Sequence, residues 1–473
     1  MTDNHSGHRR RILVCTPDSL GARMAGPAIR AVEISRELAK HCEVRLISTN
    51  RSNLVLENID VDYANGEDLR PHVAWADVIV LQGSVLAAHD WITDEDVAVA
   101  VDIYDPIHLE ILEQARYFSD DERFRLSQGT RDMINQQILR ADFLLCASEK
   151  QRDFWLGHLA SLGRVSPVNY DYDTSLRSLL AVVPFGISAE PPVQTRSGIK
   201  GVVNGIAQED KLVIWGGGIY NWFDPLTLIR AIHRLSATRP NLRMYFLGGK
   251  HPNPDVPEME MVGKAVALAR ELGILDTFVF FNEGWVPYED RANFLLDADL
   301  GVSTHFDHLE TTFSFRTRIL DYLWAGLPIV ATQGDTFESI ITHNDIGRVV
   351  PPEDIDALVD AIDYCLYDAT SPQRLRKNVA TFAKVMHWNL LLRPLVDFCK
   401  NPHRAADVSL LATPRAHNMI HEYDAVRAEA DRLAYRIHKM ETSTSWRVTR
   451  PIRAVKSLML RLAAASRRRG SRR

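Results

Sequence analysis

Residues 308–332 read HLETTFSFRTRILDYLWAGLPIVAT and combine a helix, a turn and a buried strand. The apolar spacing predicts a helix over 314–324 that ends at Gly326, because glycine commonly closes a helix. Arg316 and Arg318 would then lie in the first turn, where the helix dipole already carries positive charge. Two cations at that end indicate that a negatively charged group is bound there.

Around this stretch, short apolar strands alternate with helical segments through most of the chain. Strands of this kind are typical of parallel sheets that are covered by helices on both faces. A segment rich in proline, glycine and polar residues interrupts the alternation between 188 and 210. The sequence therefore predicts an α/β protein with two Rossmann-like domains in tandem. We expect a ligand cleft between them, beyond the carboxyl ends of the strands.

These patterns divide the chain into six segments. They are the first domain (1–190), the linker (191–208), the second domain (209–385), a further helix (386–400), a helix with heptad spacing (415–441) and a basic amphipathic tail (442–473).

The bulk composition is that of a globular protein, with 46% hydrophobic and 25% charged residues. A chain of 473 residues exceeds what one hydrophobic core usually supports, which agrees with two domains. The five cysteines are scattered without a CxxC pair, so we expect no zinc site and no disulfide framework. No signal peptide or apolar run of membrane-spanning length (~18–20 residues) is recognisable. We expect a cytoplasmic protein without a metal.

The C-terminal tail differs in charge from the rest of the chain. Residues 446–473 contain nine arginines, one lysine and no acidic residue. They carry +10, which leaves −16 for the rest of a chain whose net charge is −6. A helix after Pro451 would place apolar residues on one face and arginines away from it, which predicts binding to an anionic membrane surface. A solvated tail is the alternative, and the acidic body disfavours a nucleic-acid partner.

Apolar residues between 419 and 440 recur at spacings that alternate between four and three, a heptad seam. Such a seam fits two structures equally well: a homodimeric coiled coil, or one helix packed back on its own chain.

Glycine-rich turns follow the first strand of each half and precede a helix. Gly26 lies in the first turn, and Gly216, Gly217 and Gly218 form the second. Glycine lets the backbone approach a phosphate, and a helix N-terminus adds partial positive charge. Each turn alone is a weak signal, but one in each half indicates a ligand that lies across the cleft.

Polar side chains of residues 308–332 add to this interpretation. Arg316 is predicted to bind an anion at the helix tip, and Asp321 to accept hydrogen bonds from ligand hydroxyls. A surface pair of Arg318 with Asp321 is the alternative. Glu310 precedes the helix, and a carboxylate beside an anion site suits a hydroxyl-rich ligand, although a solvated loop carboxylate is equally compatible. Phosphate and hydroxyls together indicate a nucleotide sugar.

Several motifs then resemble retaining glycosyltransferases of the GT-B fold, in the large family-four group. The resemblance runs from Arg11 to about Leu395 and rests on ADFLLCASEKQRD (141–153), VVPFGI (182–187), GILDTFVFFNEGWVPYEDRANFLLDADLGVSTHF (273–306), LDYLWAGLPIVAT (320–332) and GRVVPPEDIDALVDAI (347–362). It implies that the second domain binds a nucleoside diphosphate sugar, that the first binds the acceptor, and that 386–400 crosses back to the first domain. It implies no cofactor besides the donor substrate.

The family carries a motif of two glutamates separated by seven residues, of which the first contacts the donor sugar and the second the ribose. Asp321 falls on the second position, and Phe313 stands where the first glutamate is usual. Glu310 fills that role if the loop is three residues longer. The family's usual Arg and Lys after the second glycine turn are absent here, so Arg316, Arg318 and Lys250 are expected to supply the charge.

Other site residues are also implied by the resemblance. Trp285 and Val286 of the WVP motif join the donor site. VDIYDPIHLE (101–110) lies where relatives often present a histidine, which makes Asp102, Asp105 and His108 candidates. Asp105 is preferred, since it follows a strand end, although it would also suit the cap of a turn.

The resemblance also implies a retaining transferase in which the leaving diphosphate deprotonates the acceptor and the protein positions the reactants. The tail motif TSTSWRVTRPIR (442–453) resembles C-terminal elements of bacterial enzymes that build surface polysaccharides such as O-antigen. This favours a glycan or lipid-linked acceptor at the inner face of a membrane. A GT-B epimerase, a phosphorylase or a non-catalytic GT-B scaffold acting through its coiled coil and tail are the alternatives.

Overall fold

The computed structural model describes residues 9–248 and 259–408, together with single residues between 429 and 446. The chain divides into two compact units, Met1–Asp407 and Val408–Arg473. The first unit contains two parallel sheets, one within each of the predicted domain ranges. The predicted α/β architecture of two Rossmann-like domains is confirmed.

Seven parallel strands form the first sheet, in the order β3-β2-β1-β4-β5-β6-β7. Their bounds are β1 (Arg11–Thr16), β2 (Glu43–Ser48), β3 (Asp60–Tyr63), β4 (Val78–Gln82), β5 (Ala98–Asp102), β6 (Phe143–Cys146) and β7 (Leu180–Val182). Every residue of β4 and β5 is buried, because helices cover both faces of the central strands. The sequence did not predict β3, which is largely exposed at the sheet edge and reads DVDY.

Seven α-helices accompany this sheet in the described residues. They are α1 (Gly26–Ala39), α2 (Arg70–Trp75), α3 (Val85–Ala88), α4 (Ile107–Gln114), α5 (Asp120–Arg140), α6 (Glu149–Ser161) and α7 (Pro167–Tyr172). Short 3-10 turns occur at Gly66–Leu69 and Asp90–Asp94.

Six parallel strands form the second sheet, in the order β10-β9-β8-β11-β12-β13. Their bounds are β8 (Lys211–Trp215), β9 (Leu242–Phe246), β10 (Val279–Phe281), β11 (Leu300–Ser303), β12 (Ile329–Thr332) and β13 (Gly347–Val350). The helices are α8 (Pro225–Ser236), α9 (Glu260–Glu271), α10 (Arg291–Leu295), α11 (Leu309–Phe313), α12 (Arg318–Trp324), α13 (Phe337–His343), α14 (Ile355–Tyr367) and α15 (Ser371–Ala383), with a 3-10 turn at Tyr288–Asp290.

The helix predicted over 314–324 is shorter than expected. It begins at Arg318, after Thr317 as N-cap, and a separate short helix, α11, precedes it. Arg316 lies in the non-helical connection between the two helices. The expectation that Arg316 occupies the first turn of a helix is therefore wrong, and only Arg318 starts one.

After α15 the chain returns to the first domain. The Ile187 N–H donates to the Met386 carbonyl at 2.8 Å, and the Trp388 N–H donates to the Ile187 carbonyl at 3.2 Å. Helices α16 (Trp388–Leu391) and α17 (Arg393–Lys400) follow. In α17, Phe398 stacks on Phe143 of β6 with ring centroids 4.7 Å apart. The end of the unit thus packs against the first sheet.

Buried ion pairs hold this return segment on the first domain. Arg164 donates to both carboxylate oxygens of Asp407, at 2.6 and 2.9 Å. Asp142 accepts from Arg140 at 3.0 Å and from Arg404 at 3.1 Å. Because these carboxylates are almost completely buried, their partners compensate for the lost hydration.

The second unit is described only at single positions. The described residues between 429 and 440 are helical, and Leu433 and Ile437 are 50% and 51% exposed. The rest of the predicted heptad helix, and all of the predicted basic tail except Trp446, lie outside the described residues. In the part of the chain that the structure describes, no helix is both long enough and apolar enough to cross a membrane.

Candidate active site

A cavity of about 400 Å³ lies between the two Rossmann-like domains of the first unit. Its volume is in the range of small-molecule sites. The lining comes from both domains, from the turns and helices that follow β1, β5, β7, β8 and β11. The cavity therefore lies where ligands bind in sheets of this type, beyond the carboxyl ends of parallel strands.

Of the predicted site residues, most line this cavity. Those that do are Gly26, Asp105, Gly216, Gly217, Gly218, Trp285, Val286, Glu310, Arg316, Arg318 and Asp321. Lys250 lies outside the described residues.

The turn after β8 is held by an unusually close approach of two backbones. Gly217 adopts a φ of +71°, in the left-handed region that favours glycine. A Cβ on Gly248, after β9, would collide with the Gly217 carbonyl. The Gly216 N–H donates to the Tyr322 hydroxyl, which donates in turn to the Val302 carbonyl, both at 2.8 Å. Helix α12 is thereby fixed against the turn.

Arg318 is a buried cation beside this turn. Its side chain donates to the Gly218 carbonyl at 3.0 Å, and its guanidinium carbon lies 4.3 and 4.2 Å from the ring centroids of Trp215 and Phe223. Its Nη1 atom has no hydrogen-bond partner, and Arg318 forms no ion pair with a carboxylate of the described residues. Burial lowers the pKa of Arg318 to about 10. The predicted alternative of a surface pair with Asp321 is wrong.

Arg316 behaves differently, because it is paired with Glu310. Its two terminal nitrogens donate to the two carboxylate oxygens at 2.8 and 2.7 Å, and both side chains are 5% exposed. The Nδ1 atom of His308 lies 3.6 Å from the same carboxylate. Glu310 is therefore buried rather than solvated. It also belongs to helix α11 and not to a loop. The charge of Arg316, which was expected to bind an anion, is offset by a neighbouring carboxylate.

Asp321 pairs with a residue that the sequence did not indicate. The Arg291 Nε donates to Asp321 at 3.2 Å, and the Arg291 guanidinium lies 4.3 Å from the ring centroid of Trp324. Burial raises the pKa of Asp321, and the charge of Arg291 opposes that rise. Both residues line the cavity, so Asp321 faces it with Arg291 beside it.

Asp105 and Glu110 bring two further carboxyl groups to the cavity from the first domain. Asp105 follows β5, and Glu110 lies in the first turn of α4. Burial, and then the charge of Glu310 across the cavity, raise the pKa of Asp105 to about 7. A carboxyl group with this pKa changes its charge near neutral pH, as acid–base groups in active sites do.

Two other candidates, His108 and Asp102, are not among the described residues that line the cavity. Glu110 does line the cavity. Residues two apart on a helix point to nearly opposite sides, so His108 points away from the cavity. Its ring stacks on Phe154 with centroids 5.5 Å apart, and burial with the neighbouring His158 lowers its pKa to about 4. The expectation of a catalytic His108 is therefore wrong.

Asp102 has a structural environment. It is buried and accepts from Arg30 at 2.5 and 2.9 Å and from Gln82 at 3.0 Å. These contacts tie α1 to the ends of β4 and β5. Asp105 is therefore the one of the three sequence candidates that faces the cavity.

The two domains also meet at the WVP motif. The Trp285 indole donates to the Met24 carbonyl at 3.2 Å, and the Tyr288 N–H donates to the Ala22 carbonyl at 3.1 Å. The first glycine turn and the WVP loop therefore form one wall of the cavity, with Gly26 close by. Among the described residues, no group of three or more His, Cys, Asp or Glu side chains is arranged to hold a metal ion.

Sequence reasoning missed Glu110, Arg291 and Trp388, which all line the cavity. Glu110 stands at the end of the quoted stretch VDIYDPIHLE, and a helix started at Ile107 would have placed it in the first turn of that helix. Arg291 and Trp388 carry no local signal, because contacts between distant segments bring them to the site.

Residues 201–382 match the family model described as Glycosyl transferases group 1. The match covers the second domain and its glycine turn, and the resemblance to GT-B glycosyltransferases is confirmed. A search of curated proteins gave no match.

Solved structures are similar over most of the chain. WaaG, a glycosyltransferase involved in lipopolysaccharide biosynthesis, has 16% identity and a TM-score of 0.56, over 82% of this chain and 100% of that one. Alr3699/HepE from Anabaena, in complex with UDP-glucose, has 13% identity and a TM-score of 0.57, over 82% and 98%. The E. coli structure described as trehalose-6-phosphate bound with UDP-2-fluoro glucose has 14% identity and a TM-score of 0.55, over 83% and 100%. These likenesses show the GT-B fold.

Proposed function

We propose that this chain, whose residues 201–382 match the group 1 glycosyltransferases, is a retaining glycosyltransferase. It moves a sugar from a nucleoside diphosphate sugar to a glycan or lipid-linked acceptor, in the synthesis of a cell-surface polysaccharide. Several structural neighbours are described with a UDP-sugar bound, and one with a role in lipopolysaccharide biosynthesis, which supports both parts of the proposal.

The observation that carries the proposal is the buried guanidinium of Arg318 beside the glycine turn. A buried cation without a carboxylate partner is costly, and an anionic ligand removes that cost. Nη1 is the free donor, and Gly216, Gly217 and Gly218 leave room for a backbone to approach a phosphate. The diphosphate of the donor therefore binds at Arg318, in place of the cations that the family usually carries on that turn.

The remaining residues position the two substrates. Asp321 accepts hydrogen bonds from the ribose, and Glu310 from the donor sugar, while Arg316 holds the Glu310 carboxylate in place. Asp105 approaches from the acceptor side of the cavity. In the same-face displacement the leaving diphosphate takes the acceptor proton, so the protein acts by positioning and by stabilising developing charge.

The test is the effect of UDP-, GDP- and dTDP-sugars on the melting temperature, followed by nucleotide release with each donor that binds. A donor at ~100 times its dissociation constant stabilises the protein by about 2.7 kcal/mol. Arg318→Ala abolishes the shift, and Arg230→Ala, an exposed arginine on α8, leaves it unchanged. Binding without nucleotide release or transfer, or no binding at all, would support the non-catalytic scaffold instead.

The C-terminal unit supplies the remaining partners of the proposal. The basic segment 446–473 holds the enzyme on an anionic surface at the inner face of the membrane, near a lipid-linked acceptor. Residues 419–440 pair with a second copy, which the half-exposed side chains of Leu433 and Ile437 favour. Sedimentation of the full chain and of a chain ending at 414 tests the dimer. If both chains sediment as monomers, the dimer is rejected.

A further inference from the structure

Gln151 is a completely buried polar residue in the first turn of α6. Its side-chain amide makes three hydrogen bonds. The amide oxygen accepts from the Ala147 N–H at 2.8 Å. The amide nitrogen donates to the Tyr104 carbonyl at 2.7 Å and to the Phe313 carbonyl at 2.8 Å. A glutamine amide has two N–H donors, so both of them are used here.

The three partners fix the orientation of this amide. One partner is an N–H group and the other two are carbonyl groups. Exchanging the amide oxygen and nitrogen would therefore oppose like groups at all three contacts. A glutamate has nearly the same shape as Gln151, but it would present an oxygen to the two carbonyl groups. The position thus suits glutamine and not glutamate.

The two carbonyl groups belong to segments on opposite sides of the cavity. Tyr104 lies between β5 and α4 of the first domain and directly precedes Asp105. Phe313 ends α11 of the second domain, three residues after Glu310. Asp105 and Glu310 both line the cavity. One buried side chain therefore joins the backbone segments that carry these two carboxyl groups.

Other contacts also hold the start of α6 against the second domain. The Lys150 Nζ donates to the Gly334 carbonyl at 2.8 Å, and the rings of Phe154 and Phe313 lie with their centroids 4.7 Å apart. Lys150 is exposed, and an aromatic contact permits some sliding. Gln151 differs from both, because hydrogen bonds have preferred directions and a buried amide is costly to leave unpaired.

We propose that Gln151 is a positioning residue, whose amide holds the Asp105 segment and α11 at a fixed separation across the cavity. The inference rests on the proposed transferase function, in which the acceptor binds on the side of Asp105 and the donor sugar at Glu310. Transfer requires the two substrates in register, and a misplacement of about 1 Å can lower a rate ~10²-fold. Gln151 is not among the described residues that line the cavity, so it acts through the backbone.

The experiment separates kcat for transfer from the affinity for nucleotide in two variants of Gln151. Gln151→Met keeps the length of the side chain but loses all three hydrogen bonds. Gln151→Glu keeps an acceptor for the Ala147 N–H but loses the N–H donors that join the two domains. We expect kcat to fall by ~10²-fold in both variants. The dissociation constant of the free nucleoside diphosphate changes little, because that ligand binds on the second domain.

The glutamate variant distinguishes a bridge between the domains from a local role in α6. Gln151 is the third helical residue after the N-cap Ser148, where glutamate is as favourable as glutamine. A merely local role therefore predicts wild-type kcat in Gln151→Glu, and that result overturns the proposal.

Leu159→Ala is the matched control for stability, since Leu159 is buried in the same helix and is not among the described residues that line the cavity. It lowers the melting temperature and leaves kcat unchanged below the unfolding transition. A fall of kcat in Leu159→Ala as large as that in the Gln151 variants would show that loss of stability alone explains them, which also overturns the proposal.

Two further points keep the outcomes separate. If Gln151→Met does not fold, Gln151→Glu carries the test, and its thermal shift with nucleoside diphosphate reports whether the second domain is intact. A wild-type protein that binds no nucleotide sugar contradicts the proposed function itself. A wild-type protein that transfers sugar, with kcat unchanged in the Gln151 variants, contradicts only the role of Gln151.

Discussion

Arg316 and Glu310 form a bidentate ion pair between the connection after α11 and the first turn of α11, with N–O distances of 2.8 and 2.7 Å. The pair explains why one arginine can lie beside the start of a helix without a bound anion. The two neighbouring arginines therefore have different hydrogen-bond partners. Arg316 pairs with a carboxylate, whereas Arg318 has no carboxylate partner among the described residues.

Arg316→Ala lowers the free energy of unfolding of the empty protein, by about 3–5 kcal/mol, because it leaves Glu310 buried without a partner. If Arg316 lay in the first turn of a helix, as the sequence predicted, the same substitution would have raised the free energy of unfolding. Urea denaturation without nucleotide measures the change. Arg316→Met combined with Glu310→Leu restores most of the loss, and a single variant as stable as the wild type would show that the pair is not formed.

Glu310→Gln reduces transfer by ~10²–10³ while the dissociation constant of the free nucleoside diphosphate changes little. The amide accepts with only one oxygen, so the donor sugar and Arg316 compete for it. Initial rates and calorimetric titration with the diphosphate measure the two quantities. Glu283→Gln, an exposed residue next to the WVP motif, serves as control. Wild-type turnover in the Glu310 variant would remove this residue from the sugar contact.

Gly248→Ala weakens nucleotide binding, because its Cβ would collide with the Gly217 carbonyl and displace the glycine turn that is proposed to bind the phosphate. Gly263→Ala is the matched control at an exposed position of helix α9, where a Cβ meets no atom within 4 Å. It should stabilise the protein by roughly 0.5–1 kcal/mol. Thermal shifts with and without nucleotide compare the two. Equal nucleotide affinity in both variants would contradict a role of the turn in phosphate binding.

Removal of residues 442–473 releases the protein from anionic vesicles. Each basic residue near an anionic surface contributes about 1 kcal/mol, an attraction that salt weakens. Flotation of the full chain and of a chain ending at Glu441, at low and high salt, measures the effect. Neutral vesicles are the control. Equal flotation of the two chains, or no preference for anionic lipid, would reject the membrane proposal.

The two-domain fold could be predicted from the sequence because the buried strands are nearly continuous apolar runs and the helices between them are amphipathic. Strand β3 was missed because its sequence, DVDY, contains two aspartates and no apolar run. At the edge of the sheet most of its side chains are exposed. The helix over 314–324 was placed too early. Its apolar pattern extends to Phe315, but the chain turns to an extended conformation at Ser314, and Arg316 pairs with Glu310.

The site could be predicted less completely than the fold. Residues whose position follows from a strand end or a glycine turn, such as Asp105 and Gly217, do line the cavity. The partners of charged residues could not be predicted, because Arg291 and Asp321, or Arg318 and the Gly218 carbonyl, meet only in three dimensions. His108 was misplaced since the sequence alone did not fix where α4 begins.

The buried pair of Arg164 and Asp407 has a consequence for biosynthesis. The two residues are 243 positions apart, and the second Rossmann-like domain lies between them in the chain. At ~5–20 residues per second, a ribosome needs about 12–50 s to make the intervening segment. Throughout that time Asp142 and Arg164 of the nascent first domain lack Arg404 and Asp407, and β6 lacks the ring of Phe398. The domain that is translated first is therefore completed last.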